Sequence, residues 1–529
     1  MSGGGMRDAT GGCRAERLAA MRASVLSVDV GTSGTKALLA RDDGTVVGTT
    51  TIEYPMETPR TGWAEQDPAV WLRSSKEAVS QLMTLHRHDT HVVAIGLTGQ
   101  MHGLVLLDAH GIVLRPAILW CDQRTTTQCR TITELAGGRE RLIQLTCNPA
   151  LEGFTAPKLL WVREHEPDVY ARIAHILLPK DYVRWALSGT FASDVSDASG
   201  TLLFDVKKRV WSATMLSLMD VPVAWLPDVT ESPVISARLS AEAAAELGLA
   251  AGTPIVGGGG DQAAGAIGNG IVHPGLVSST IGTSGVVFAF SDTIALDPVG
   301  RVHTFCHAVP GAWHVMGVTQ GAGLSLRWFR DQFSASEMVA AARAGLDPYD
   351  LLMREAQRAR PGSAGAVWLP YLMGERTPHL DANARGVLFG LTASHTRFDV
   401  IRAIVEGVTF SLRDSLVILQ DMGVPAGEVR ASGGGARSAF WRQLQADVFG
   451  IDVVTINASE GPAYGAALLA AAGVGMFPSV RDACSQATRM VDRVSPDPAL
   501  VPVYERQYAV YRALYPALKQ QFDTVAGFG

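Results

Sequence analysis

The chain has 529 residues, 45 Lys plus Arg against 51 Asp plus Glu, and a formal charge of −6. An apolar fraction of 47% with only 18% charged residues supplies enough core to offset chain entropy, which excludes a disordered chain. The mild negative charge without a basic run argues against nucleic acid as a partner, and the length predicts two large domains or three smaller ones.

Residues 1–22 are Gly-rich and mixed in charge, without the apolar stretch of a signal peptide. They are expected to form a disordered leader, with Met21 as an alternative start. The small-apolar stretch 463–477 is shorter than the ~20 residues a bilayer needs and is predicted to be a buried helix, so no membrane is expected as a partner. The 6 cysteines (Cys13, Cys121, Cys129, Cys147, Cys306 and Cys484) contain no C-x-x-C pair, which predicts a reducing, cytoplasmic setting.

Taken in chain order, 24–36 reads as a β-prone run, the turn G-T-S-G and a second apolar run: a hairpin. Asp29 ends the first strand, directly before Gly31, Thr32, Ser33 and Gly34. Hydroxyls and bare N–H groups beside a carboxylate suit phosphate oxygens and a hydrated Mg²⁺; the alternative is an Asp that only bonds its own turn. Short strands are predicted over 92–97 and 103–107, bracketing Gln100, Met101 and His102. An amide, a thioether and an imidazole suit a small polyol, unless they are tucked inertly into a core. Trp120, Cys121, Asp122, Gln123 and Arg124 have the same character. A strand over 254–260 runs into four glycines and Asp261, followed by Gln262. A lone carboxylate there has the placement of a general base, or else of a helix N-cap.

The run 276–285 repeats strand, G-T-S-G and strand, with Gly282, Thr283 and Ser284 in the turn. The repeat predicts a duplicated two-domain architecture with matching hairpins across a cleft, coincidence being the alternative in a Gly-rich chain. His303, Cys306 and His307 are close, but no fourth ligand stands at a matching spacing, so the group reads as packed or substrate-side. Over 397–419, apolar residues Ile401, Ile404, Val405, Val408, Leu412 and Leu416 keep helical spacing behind a capping box of Thr396 and Asp399. Gly433, Gly434 and Gly435 precede Ala436, Arg437 and a helix bearing Trp441, an entry that lets a base or phosphate approach the backbone, or a plain turn. No Walker A, G-x-S-x-G or H-E-x-x-H sequence occurs. The mixture is α/β, with domains expected at 23–274 and 275–529.

The paired G-T-S-G hairpins, with Asp29 on the first, resemble the sugar kinase, hexokinase and actin ATPase superfamily. More closely, residues 24–520 resemble the FGGY carbohydrate kinases. The likeness is carried by G-F-T-A-P-K-L-L-W-V-R-E-H at 153–165 and the segment 386–406. G-Q-M-H-G at 99–103, W-A-E-Q-D-P at 63–68, L-P-K-D-Y at 178–182, A-S-D-V-S-D-A-S-G-T at 192–201 and G-E-R-T-P-H at 374–379 point to the branch acting on a pentulose. The resemblance implies two ribonuclease H-like (actin- and hexokinase-type) domains, an N-terminal sugar-binding one and a C-terminal nucleotide-binding one, and ATP and Mg²⁺ as cofactors. It implies phosphorylation of D-xylulose at O5, with other ketoses or polyols, or a non-transferring ATPase or sugar sensor, as rivals, and it admits a homodimer. By the same resemblance Asp261 is the base, Met101 and His102 are sugar contacts, and Asp29 is the Mg²⁺-associated acid. Thr283, Gly323 and 433–435 lie on the nucleotide side. Cys121 stands where family members often carry Asn, and Gln262 where some carry Asn.

Overall fold

Residue Val25, with Leu26 and Val28, forces β1 (Arg22–Val30) into the interior, and the chain turns at 31–33 into its antiparallel partner β2 (Gly34–Arg41), followed by β3 (Val46–Glu53). The computed structural model describes residues 21–457 and 460–528, so Cys13 and all but the end of the expected leader lie outside the described residues. Asp67 opens α1 (Pro68–His86) by accepting the Ala69 N–H at 2.9 Å, and the helix buries Trp71, Ala78 and Leu82 with Val28 and Leu39. β4 (Thr90–Gly99) then pairs parallel with β1.

The expected 103–107 strand is shorter, Val105–Leu107. The expected 254–260 strand is broken. β5 (Ile235–Arg238) pairs with β6 (Pro254–Val256), and after a break at Gly257 and Gly258 the two residues of β7 (Gly259–Gly260) return to β4. Gly258 has φ +70°, and a Cβ on it would overlap the Leu97 carbonyl oxygen, so only glycine fits. Asp261 opens α2 (Asp261–Gly268). The first sheet runs β5-β6-β4-β1-β2-β3.

The second sheet has the same plan. β8 (Gly275–Ile281) forms a hairpin with β9 (Gly285–Ser291), and the order is β10 (His303–Cys306), β11 (Trp313–Thr319), β9, β8, β12 (Ala426–Gly433), β13 (Asp452–Ile456) and β14 (Met490–Val494). In each sheet three antiparallel strands, β3-β2-β1 or β11-β9-β8, lead to two parallel neighbours and an antiparallel edge, with β10 added beyond β11 in the second, so the hairpins β1–β2 and β8–β9 occupy equivalent places. The twin turns thus hold equivalent positions in two sheets of like order. α3 (Ala322–Phe333) follows β11, and α5 (Ala439–Phe449) connects β12 to β13. Between them α4 (Arg397–Asp421) is the buried spine of this unit, its Thr396 N–H donating to Asp399 at 2.8 Å as the capping box requires.

The chain divides into two units differently from the expected boundaries. Among the described residues, one holds 21–270 with 306–311 and 460–488; the other holds 271–305, 312–457 and 489–528. The returning segment carries α6 (Gly461–Gly473) onto β1 and β4, where the Ala463 carbonyl accepts from Ser27 Oγ at 2.6 Å. A Cβ at Gly465 would stand 1.7 Å from the Ala264 carbonyl, so α2 and α6 meet backbone to backbone. This contact is why 460–488 belongs with the first unit. No helix among the described residues is long and apolar enough to cross a membrane.

Candidate functional site

Parallel register brings three strand ends of the first unit to one edge: Asp29 stands opposite Thr98, and Gly260 opposite Gly99. Asp29, the turn carrying Gln100 to His102, and Asp261 therefore emerge side by side, at the carboxyl edge where α/β sheets hold ligands. Met101 packs against Gly260, where a Cβ would lie 2.8 Å from its Cγ. His102 takes φ +69°, its Nδ1 lies 2.8 Å from the Gly200 carbonyl and its ring lies 4.8 Å from that of Phe154. Its own carbonyl accepts from Thr155 Oγ1 at 3.1 Å and from the buried Lys158 ammonium at 3.0 Å. Burial pushes that ammonium down to about 7. The segment 153–165 thus supports the His102 turn from behind.

Asp261 and Gln262 are both partly exposed. Desolvation first, then the negative charge of Asp29, pushes the Asp261 carboxyl up to about 7, against the lowering effect of hydrogen bonds from Gln262. Burial likewise raises Asp29 to about 6, with Lys36 pulling the other way. A carboxyl poised near neutrality beside a second acid is suited to proton transfer.

Other expected members have different duties. Gln100 is buried, its amide held between Gln66 Oε1 at 3.1 Å and Thr32 Oγ1 at 3.2 Å, so it fixes the first hairpin instead of offering free hydrogen bonds. The Thr32 hydroxyl also accepts from Trp120 Nε1 at 3.0 Å, and the Gly31 N–H is spent on the Gly34 carbonyl at 3.0 Å. Of the two side chains in the expected phosphate cradle at 31–34, that of Ser33 is exposed and that of Thr32 partly so, with the Thr32 hydroxyl turned to Trp120 and Gln100. Trp120 keeps an exposed face. Asp122 is fully buried, accepts the Ala64 N–H at 2.6 Å, and is bidentate with Arg124. Cys121 is partly exposed, its Sγ 3.6 Å from Met56 Sδ. Cys306 is buried, its N–H on Ser199 Oγ at 3.0 Å.

In the second unit, Ile281 of β8 stands opposite Gly433 of β12, so the G-T-S-G turn and the triple glycine emerge together. The Gly323 N–H donates to the Gly282 carbonyl at 2.9 Å and the Leu324 N–H to the Thr283 carbonyl at 3.0 Å, clamping the turn to the start of α3. Beside them lies a cavity of about 270 Å³. Its apolar walls are Ile281, Leu326, Met353, Tyr349 and Trp441; its backbone floor is Gly282, Gly323, Gly434 and Gly435; Arg327 and Arg437 bring two guanidiniums and Asp347 and Asp350 two carboxylates. Flat apolar walls over a glycine floor, with guanidiniums for phosphates and carboxylates for hydroxyl or amino groups, suit a purine nucleotide. Ser284 and Gly433 are not among its lining residues. Arg327, Tyr349 and Met353 escaped sequence reading, because they sit on helices of ordinary composition with no motif to mark them.

Residues 24–268 match the N-terminal domain, and 277–474 the C-terminal domain, of the FGGY family of carbohydrate kinases. The chain belongs to this family. It is 38% identical over 505 residues to xylulose kinase of Bacillus subtilis (strain 168), covering 95% of this chain and 99% of that protein. It is 41% identical over 496 residues to xylulose kinase of Escherichia coli (strain K12), covering 93% and 99%. The crystal structure of xylulose kinase from Rhodospirillum rubrum superposes with a TM-score of 0.87 at 32% identity, covering 94% of this chain and 100% of that one. This FGGY kinase therefore has the actin- and hexokinase-like fold, and it is a carbohydrate kinase.

Proposed function

We propose that this FGGY kinase transfers the terminal phosphoryl group of ATP to O5 of D-xylulose, with Asp261 as general base. The observation that carries the reading is the placement of the Asp261 carboxyl beside Asp29 at the strand edge that also presents Met101 and His102. The relatives at 38–41% identity are named xylulose kinases, which supports the choice of sugar. Asp261 takes the proton of the O5 hydroxyl as that oxygen bonds to the γ-phosphorus, and the bond from phosphorus to the bridging oxygen breaks to release ADP. Met101 and His102 orient the ketose. Arg327, Arg437 and the side-chain-free backbone at 434 and 435 hold the nucleotide, over the turn that Gly282 and Gly323 clamp shut with their own N–H groups.

The donor set fits Mg²⁺. The ion keeps most of its waters and needs one or two carboxylates plus phosphate oxygens, and Asp29 offers one partly exposed carboxyl without a cage around it. Asp29 would hold the hydrated ion, which when bound neutralises the charge of the triphosphate. A cytoplasmic setting and a homodimer belong to the same reading.

A coupled assay of ADP release over a panel of ketoses and polyols tests it. D-Xylulose is expected to give the highest kcat/KM, with the product phosphate on O5 by NMR. A higher kcat/KM for another polyol, or ATP hydrolysis indifferent to any sugar, overturns it.

A further inference from the structure

Two of the segments singled out in the sequence, 178–182 and 192–201, contribute no side chain to the edge described above, yet they hold the most densely charged interior of the first unit. The fully buried Lys180 ammonium lies 2.6 Å from Asp181 Oδ1, 3.0 Å from Asp194 Oδ1 and 3.1 Å from Asp197 Oδ2. Arg184, also fully buried, lies 3.2 Å from Asp181. Buried charge adds little to stability over apolar packing, so such a cluster calls for another reason, and geometry is the usual one.

What the cluster holds is the tetraglycine leading to the base. Asp194 Oδ2 accepts the Ser196 N–H at 2.8 Å, Ser196 Oγ at 2.6 Å and Ser232 Oγ at 3.1 Å. Ser196 Oγ, having donated its proton, accepts the Gly260 N–H at 3.1 Å. Arg184 donates to the Gly257 carbonyl, and the Ser232 carbonyl accepts the Gly258 N–H at 2.9 Å. A run of four glycines has no side chains to lock it and the largest backbone freedom of any sequence. Asp261 rides on its end. The far end of 192–201 meets His102 through the Gly200 carbonyl, so one segment braces both the base and the sugar-side imidazole.

We infer that Ser196, held by Asp194 and Lys180, is a positioning residue for Asp261: its hydroxyl fixes the Gly260 peptide and thereby aims the carboxylate. The inference rests on the reading of Asp261 as base. Ser196→Ala removes the acceptor and keeps the rest of the cluster. With a displacement on the order of 1 Å able to cost ~10²-fold in rate, kcat per mole of folded enzyme is expected to fall about 10- to 100-fold. The KM values for ATP and xylulose should stay within about two-fold, since neither ligand touches Ser196 in this reading. Should the Ala protein fail to fold, Ser196→Cys, nearly isosteric but a weak acceptor, is measured in the same way. A kcat within two-fold of wild type overturns the inference, as does a lower melting temperature with kcat per folded enzyme unchanged, which marks a merely structural serine. Asp261→Asn, assayed in parallel, separates the two claims: retained turnover there sinks the base, whereas lost turnover with a fully active Ser196→Ala sinks only the positioning role.

Discussion

Replacing Asp261 by Asn keeps the size of the side chain and its place at the start of α2 but removes the proton acceptor. A general base contributes ~10²–10⁴-fold, so kcat should fall by about that factor. The nucleotide cavity is lined by other residues, so ATP affinity, read by isothermal titration, should stay within a few-fold. The wild-type pH profile supplies the second half of the test. The carboxyl titrates near 7 because desolvation and Asp29 both disfavour its charged form. The ionised form is the active one, so kcat/KM rises with pH through that value. About a tenth of the groups are ionised at pH 6 and about nine-tenths at pH 8, which predicts roughly a tenfold rise between them. The assay is coupled ADP release with xylulose below its KM, at constant ionic strength. A variant turning over within tenfold of wild type, or one that keeps the wild-type limb in its pH profile, refutes the assignment.

Three other perturbations probe the scaffold. Gly323→Ala drives a Cβ to 2.4 Å from the Gly282 carbonyl and should push the turn away from α3, raising the KM for ATP while leaving that for xylulose unchanged; equal KM values for ATP would refute the clamp. Gly465→Val forces α6 off α2 and should cost about 1–3 kcal/mol in a denaturant titration, with unchanged stability showing that the helices do not depend on that contact. Glu375 accepts the N–H groups of Gln320 and Arg376, both at 2.8 Å, while burial raises its carboxyl from 4.5 to about 8. Between those values the folded chain holds a proton that the unfolded chain has released, so this group's contribution to stability falls as pH rises from about 4.5 to about 8. Glu375→Gln removes that slope, and its melting temperature relative to wild type should be higher at pH 8 than at pH 5; a constant difference would contradict the burial argument.

Much of the scaffold was legible because its signals are local. Each hairpin is a strand pattern interrupted by the same four turn residues, and the capping box at Thr396 and Asp399 announces α4 over three residues. Asp29 and Asp261 were legible because an acid ending an apolar run, or following four glycines, departs from any packing pattern. The partners of Gln100, Thr32 and Asp122 were not legible for the converse reason: a polar residue in a turn carries no local sign of what it bonds. Those partners, Gln66, Trp120 and Arg124, are identifiable only once the chain is folded.

Local pattern was enough for the class of the chain, the repeated strand–turn–strand units and the two acids at strand ends. Folding was needed to show that 460–488 joins the first unit, that the Gly31 N–H closes on the Gly34 carbonyl, and that Arg327 and Tyr349 face a cavity. The difference is one of range. Alternation and capping are set by neighbours a few residues apart, whereas the fit of Gly465 against Ala264 or of Ser196 against Gly260 depends on which distant backbone arrives beside it.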